Sequence, residues 1–248
     1  MILVLSGEGP TDIGTRRPKA AGWEFVPGPM AWIVDGLLER PSKLKYSWLN
    51  LQANGGDCIC FLTETELSGL RGSKPQRLRH REEKPGSQYF RMGAFLLGKY
   101  AKEIASERNS PVIAVFFRDA DGTRSTLRTE WEGKTASMKS GFLAAGFQSG
   151  VPMVPRPKSE AWMLCGLLKR QIANAGYNWL EDEPGNDASP NSLKARLAAH
   201  LGYNPSAEQQ SEFVRSGQID TEMIDLPSFT AFRDALDQAY SIAAAPLQ

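Results

Sequence analysis

Five carboxylates stand just past short apolar runs: Glu8 and Asp12 in "ILVLSGEGPTDIG", Asp119 and Asp121 in "VFFRDADGTRST", and Glu160 in "PMVPRPKSEAWML". If those runs are strands of one parallel sheet, their carboxyl ends share an edge, which is where ligands gather in open α/β sheets. Acids crowded at that edge repel and raise one another's pKa values unless a cation neutralises them. The chain has two histidines, His80 and His200, and three cysteines, Cys58, Cys60 and Cys165, without zinc-site spacing. Any metal is therefore expected on oxygen ligands, which suits Mg2+ or Mn2+, as one ion or as a pair clamping the attacking and leaving oxygens of a phosphoryl transfer. The predicted ligands are Glu8, Asp12, Asp119, Asp121 and Glu160. Asp119 and Asp121 are two apart, so both can turn toward one ion while Ala120 faces away.

The elements that must position these acids can be read from hydrophobic periodicity. Strands are expected at 2–6, 57–62, 112–118 and 151–154, the first and third being continuous apolar runs of the kind buried on both faces of a sheet. Helices are expected at about 29–40, 91–108, 134–145 and 159–175, with Pro29 at a first helical position and Ser159 as a cap. Strand and helix alternate, which predicts an α/β fold with a mainly parallel sheet flanked by helices. After residue 177 the chain turns polar and rich in Pro, Gly and Asn, then resumes with helices at about 192–201, 207–216 and 227–240. The expected organisation is a domain over 1–176 followed by a helical extension over 177–248, packed on the sheet or facing a partner.

The 248 residues are 41% apolar and 23% charged, with a formal net charge of +1 and no apolar run long enough to span a membrane. The first apolar run lacks a basic leader and a cleavage site, so a soluble, cytoplasmic protein is expected. The cysteines read as buried thiols, and Cys58 and Cys60, two apart in a strand, are expected on one face. Residues 1–179 carry 25 basic and 17 acidic side chains, against 4 and 11 in residues 180–248. A basic first part can attract a polyanion, or it can be a solvated mixed surface.

"GEGPTD" after the first strand and "DAD" after a later one resemble the two signatures of the Toprim domain, the catalytic module of topoisomerases, primases and several nucleases. The Glu-x-x-x-Asp form, Glu8 to Asp12, is most similar to nucleases of the OLD type and relatives in bacterial anti-phage defence. The resemblance covers about residues 1–175 and makes residues 14–90 largely a basic insertion. It implies a Toprim-like, Rossmann-like sheet and a nuclease in which Glu8 serves acid/base chemistry or metal binding. In the same way it places Asp119 and Asp121 on metal, with Asp12 as a further ligand and Glu160 completing a second metal site. OLD-type proteins carry an ATPase, and this chain has no Gly-rich loop ending in Gly-Lys-Ser/Thr, so a separate ATPase or sensor subunit is the implied partner.

Cations flank the acids: Arg118, Arg124, Arg156 and Lys158. They can hold phosphates or pair with the same carboxylates, and Lys158, two residues before Glu160, is the candidate catalytic cation. The stretch 71–91 holds Arg71, Lys74, Arg77, Arg79 and Arg81 with Tyr89 and Phe90, a composition suited to tracking a nucleic-acid backbone and stacking bases, or else to a solvated loop. Trp23, Trp32, Trp48 and Trp162 are expected in the core. Two other readings stay open, along with the oligomeric state. "DADGT" resembles the haloacid-dehalogenase phosphatase signature, which makes Asp119 a nucleophile, and a Toprim-like scaffold can serve as a non-catalytic partner-binding subunit.

Overall fold

A computed structural model of the chain describes residues 1–20, 22–40, 43–71, 87–120, 127–172 and 174–245. Four parallel strands form the central sheet: β1 (Ile2–Gly7), β4 (Ile59–Leu62), β5 (Val112–Phe117) and β6 (Gly150–Met153), in the order β4-β1-β5-β6. β1 and β5 lie side by side in the middle, with Ile2 opposite Val112 and Gly7 opposite Phe117, and every residue of both is buried. Two-sided burial explains why both read as unbroken apolar runs.

Each face of the sheet packs against its own helices. On one face Leu3, Leu5, Val115 and Phe117 meet α1 (Pro29–Leu38), α6 (Ser159–Gln171) and α9 (Pro227–Ala244) in one cluster. Trp162 stacks on Phe232 at 5.5 Å, meets Phe229 edge-on at 5.0 Å, and donates its indole N–H to Ser228 Oγ at 2.8 Å. The large indole is thus buried with its one polar atom satisfied. On the other face Val4, Ala114 and Phe116 pack on α4 (Ser87–Glu107) and α5 (Arg128–Ala144). The segment beyond 177 supplies Leu180, Phe213, Ile224, Phe229 and Phe232 to the first cluster, so its helices, α7 (Leu193–Leu201), α8 (Ala207–Arg215) and α9, cover the sheet domain.

The uneven charge along the sequence is resolved across this contact. Arg40 pairs with Glu222 and Lys43 with Asp237, while Lys169 reaches Asp225 at 2.6 Å. Basic groups of the first part and acidic groups of the last neutralise each other.

Several local expectations change. The stretch 14–27 forms an antiparallel hairpin, β2 (Gly14–Lys19) and β3 (Gly22–Pro27), held to the sheet edge where Phe25 stacks on Phe61 at 4.6 Å and Arg16 pairs with Glu66. Two short helices, α2 (Trp48–Ala53) and α3 (Glu64–Gly69), flank β4, which begins at Ile59 rather than 57. Cys58 therefore precedes the strand and does not follow its alternation: it joins the first cluster and Cys60 the second, so they do not share a face. Trp48 and Trp162 are fully buried and Trp32 packs against the first cluster, but Trp23 at the hairpin tip is 64% exposed. No helix among the described residues is long and apolar enough to cross a membrane.

Asp35 ties α1 to α2. It is 2% exposed and accepts hydrogen bonds from Ser47 Oγ at 2.5 Å, Trp48 N–H at 2.8 Å and Leu49 N–H at 3.2 Å. Burial pushes its pKa up against the opposing pull of these donors. Replacing Asp35 by Ala strands three buried donors and is expected to cost about 2 kcal/mol, lowering Tm by about 4–8 °C in a thermal melt.

Candidate metal centre

β1 and β5 are hydrogen-bonded neighbours running the same way, so the residues that leave their carboxyl ends emerge side by side. Glu8 follows β1, and its backbone N–H still donates to Phe117 O at 3.3 Å. The chain then makes one wide helical turn, Gly9–Ile13, entered through Gly9 at φ +76°, a left-handed conformation that suits glycine. Gly28, just before α1, lies so close to this turn that a Cβ there would stand 2.1 Å from the Asp12 carbonyl oxygen. No larger residue lets α1 begin against the acid-bearing turn.

Four of the five predicted ligands converge. Glu8 Oε1 accepts the Asp119 backbone N–H at 2.9 Å, and Glu8 Oε2 pairs with Arg118 at 2.8 Å. Ser159 bridges the other two segments: its hydroxyl donates to Asp12 Oδ1 at 2.7 Å, and its backbone N–H donates to Asp119 Oδ1 at 3.0 Å. That N–H belongs to the first turn of α6, where backbone donors have no partner within the helix and anionic charge is favoured. Glu160 is next in the chain, and its Oε2 is buried with no hydrogen-bond partner. Asp121 lies outside the described residues.

The electrostatics follow from this crowding. The Asp119 carboxyl is pushed well above the ordinary range by burial, and then by the charges of Asp12, Glu160 and Glu8. Asp12 is raised by burial against the donors Ser159 and Thr11, and Glu160 by burial and then by Asp12. The group holds protons more tightly than free carboxylates do, the expected state of an acid cluster that a cation would discharge. The donors are all oxygen and include the buried Glu160 Oε2 without a hydrogen-bond partner, the donor chemistry that hard cations such as Mg2+ and Mn2+ take. Among the described residues, no three His, Cys, Asp or Glu side chains are placed together so as to hold a metal ion as they stand. In this arrangement Ser159 donates to one oxygen each of Asp12 and Asp119, and Arg118 pairs with Glu8.

Arg118 pairs directly with one of these acids, Glu8. Besides Glu8 it reaches Glu64 at 3.5 Å and lies over the rings of Phe90 at 5.5 Å and exposed Tyr89 at 6.0 Å. Arg156 and Lys158, read as phosphate-binding and catalytic cations, meet the acidic segment after 177. Arg156 pairs with buried Glu181 at 3.3 Å and with Asp182 at 2.6 Å, and Lys158 pairs with Asp187 at 2.9 Å. Burial pulls the Lys158 ammonium down, but Asp187, Glu160 and Asp119 outweigh it and hold its pKa above the ordinary value. Arg71 is exposed at the end of α3, whereas Lys74, Arg77, Arg79, Arg81 and Arg124 lie outside the described residues.

Ser159 was missed as a site residue. It is the first residue of α6 rather than its cap, a position held by Lys158, and its partners lie 40 and 147 residues away in sequence. The one available signal was a small hydroxyl residue beside Glu160 at a helix start. Compared with known proteins, the chain matches no family model, no curated protein and no solved structure.

Because Asp119 has a raised pKa when folded, the folded state binds more protons than the unfolded chain above the ordinary carboxylate pKa. Stability contributed by this group therefore falls as pH rises through that window. Asp119→Asn keeps the acceptor for Ser159 and removes the charge. In metal-free buffer it is expected to raise Tm by about 2–4 °C at about pH 8, with a smaller gain at about pH 5, as measured by calorimetry.

Proposed function

We propose that the chain is a divalent-metal-dependent phosphodiesterase acting on nucleic acid, built on a Toprim-like sheet. One observation carries the reading: Ser159 brackets Asp12 and Asp119, from segments far apart in the chain, beside Glu8 and Glu160 at the carboxyl edge of β1 and β5. A structural cluster gains nothing from acids that raise one another's pKa values, whereas a cation site does.

In this reading Asp12, Asp119 and Glu160 hold Mg2+ or Mn2+, one ion or two, with Asp121 as a further ligand. When bound, the metal supplies the charge that activates a water nucleophile and offsets charge on the leaving oxygen. Ser159 fixes the carboxylates of Asp12 and Asp119, so the ligand geometry is set before substrate arrives. Arg118, resting on Tyr89 and Phe90, turns from Glu8 to a substrate phosphate, and Glu8 serves as the acceptor for the proton of the attacking water. Lys158 stays protonated through Asp187 and adds positive field rather than acting as a base. The similarity of "GEGPTD" and "DAD" to OLD-type nucleases extends the proposal to an anti-phage effector working with a separate ATPase or sensor.

Purified protein given plasmid, linear DNA and total RNA with Mg2+ or Mn2+ is expected to cleave at least one of them, and EDTA to stop it. Glu8→Ala and Asp119→Ala are each expected to lower the rate by about 100-fold or more. Cleavage indifferent to EDTA and to both substitutions contradicts the proposal. Turnover of simple phosphate monoesters without nucleic-acid cleavage points instead to Asp119 as a phosphatase nucleophile.

A further inference from the structure

Beside the acid-bearing turn, a cavity of about 480 Å³ opens between the β2–β3 hairpin, the start of α1 and the helix α8. Its size falls in the range of small-molecule sites. The inner surface is largely carbon, from Pro10, Val26, Pro27, Trp32 and Ala207. Polar groups include Glu208, Glu212 and Arg215, all exposed, and Arg215 is already paired with Glu212 at 2.6 Å. This opening carries one net negative charge, which disfavours a phosphate inside. It favours a flat, uncharged ring whose amino groups can donate to a carboxylate.

Thr11 connects the cavity to the acids. It lines the wall, and its hydroxyl donates to Asp12 Oδ2 at 3.3 Å. Thr11 thus belongs both to the cavity wall and to the turn that carries Asp12.

We propose that this cavity is a nucleobase subsite: it takes an amino-bearing base, stacked on Trp32, of the nucleotide whose phosphate lies at the Asp12–Asp119 centre. The inference rests on the phosphodiesterase reading for the placement of that phosphate and names what the site reads beside it. An aromatic wall gives stacking that every base can use, and Glu208 and Glu212 select adenine, cytosine or guanine over uracil and thymine, which lack exocyclic amino groups.

The test uses the full chain and adenosine monophosphate in calorimetric titrations with Mg2+, with ribose phosphate as the control that lacks the base. Adenosine monophosphate is expected to bind at least about tenfold more tightly than ribose phosphate, and Ala207→Trp, which fills the cavity, to remove that difference. Trp32→Phe is expected to keep most of the preference and Trp32→Leu to lose it, which covers the case in which Ala207→Trp lowers Tm. Equal binding of the two ligands by the wild-type chain overturns the proposal, as does a preference that survives both Ala207→Trp and Trp32→Leu. The two readings fail separately. Metal-dependent cleavage with no base preference removes the subsite alone, whereas base-dependent binding by a chain that cleaves nothing removes the phosphodiesterase reading and leaves a nucleotide-binding cavity.

Discussion

Ser159 gives its hydroxyl to Asp12 and its backbone N–H to Asp119, and the rest of the site is arranged around that double contact. Two neutral donors lower the cost of crowding carboxylates but do not cancel it, since Asp12, Asp119 and Glu160 all remain raised. The sheet meets the geometric requirement by placing β1 beside β5. The turn meets it through Gly9 and Gly28, one by its conformation and the other by the space it leaves. Net electrostatic cost kept in place by specific local geometry is more characteristic of function than of packing.

The acidic segment after 177 has a second role besides covering the sheet. Glu181 is 2% exposed, accepts the Ser228 N–H at 2.7 Å and pairs with Arg156, which joins α9 to the loop preceding α6. Asp187 holds Lys158 at the cap position of the same helix. The loop that presents Ser159 and Glu160 is thus fixed from the C-terminal side. A side chain at Arg156 or Lys158 acts on the acids through the placement of α6 as well as through its own charge.

Much of this architecture was legible because burial on both faces leaves a plain signature. The runs at 2–6 and 112–118 match β1 and β5 to within a residue, and once they are parallel neighbours the meeting of Glu8 and Asp12 with Asp119 follows. The hairpin at 14–27 left no such trace: Arg16, Arg17 and Lys19 interrupt any apolar alternation, and Pro18 stands within a strand that has a partner on one side only. α2 and α3 are six residues each, too short to show a helical period, and depend on caps such as Thr63 with Glu66 and on contacts with β4. The roles of Ser159, Arg156 and Lys158 were hidden because their partners are set by tertiary packing. Nearness in sequence linked Lys158 to Glu160, whereas its ammonium hydrogen-bonds Asp187.

The proposed cation between Asp12, Asp119 and Glu160 can be located in a crystal. Crystals grown or soaked with Mn2+ and measured at the manganese absorption edge report the ion independently of any activity. The account predicts an anomalous peak bonded to oxygens of Asp12 and Asp119, at about 2.0–2.3 Å as for hard cations on carboxylates. Ordered Mn2+ elsewhere, with Ser159 still bridging Asp12 and Asp119 and no peak between them at millimolar metal, would contradict it.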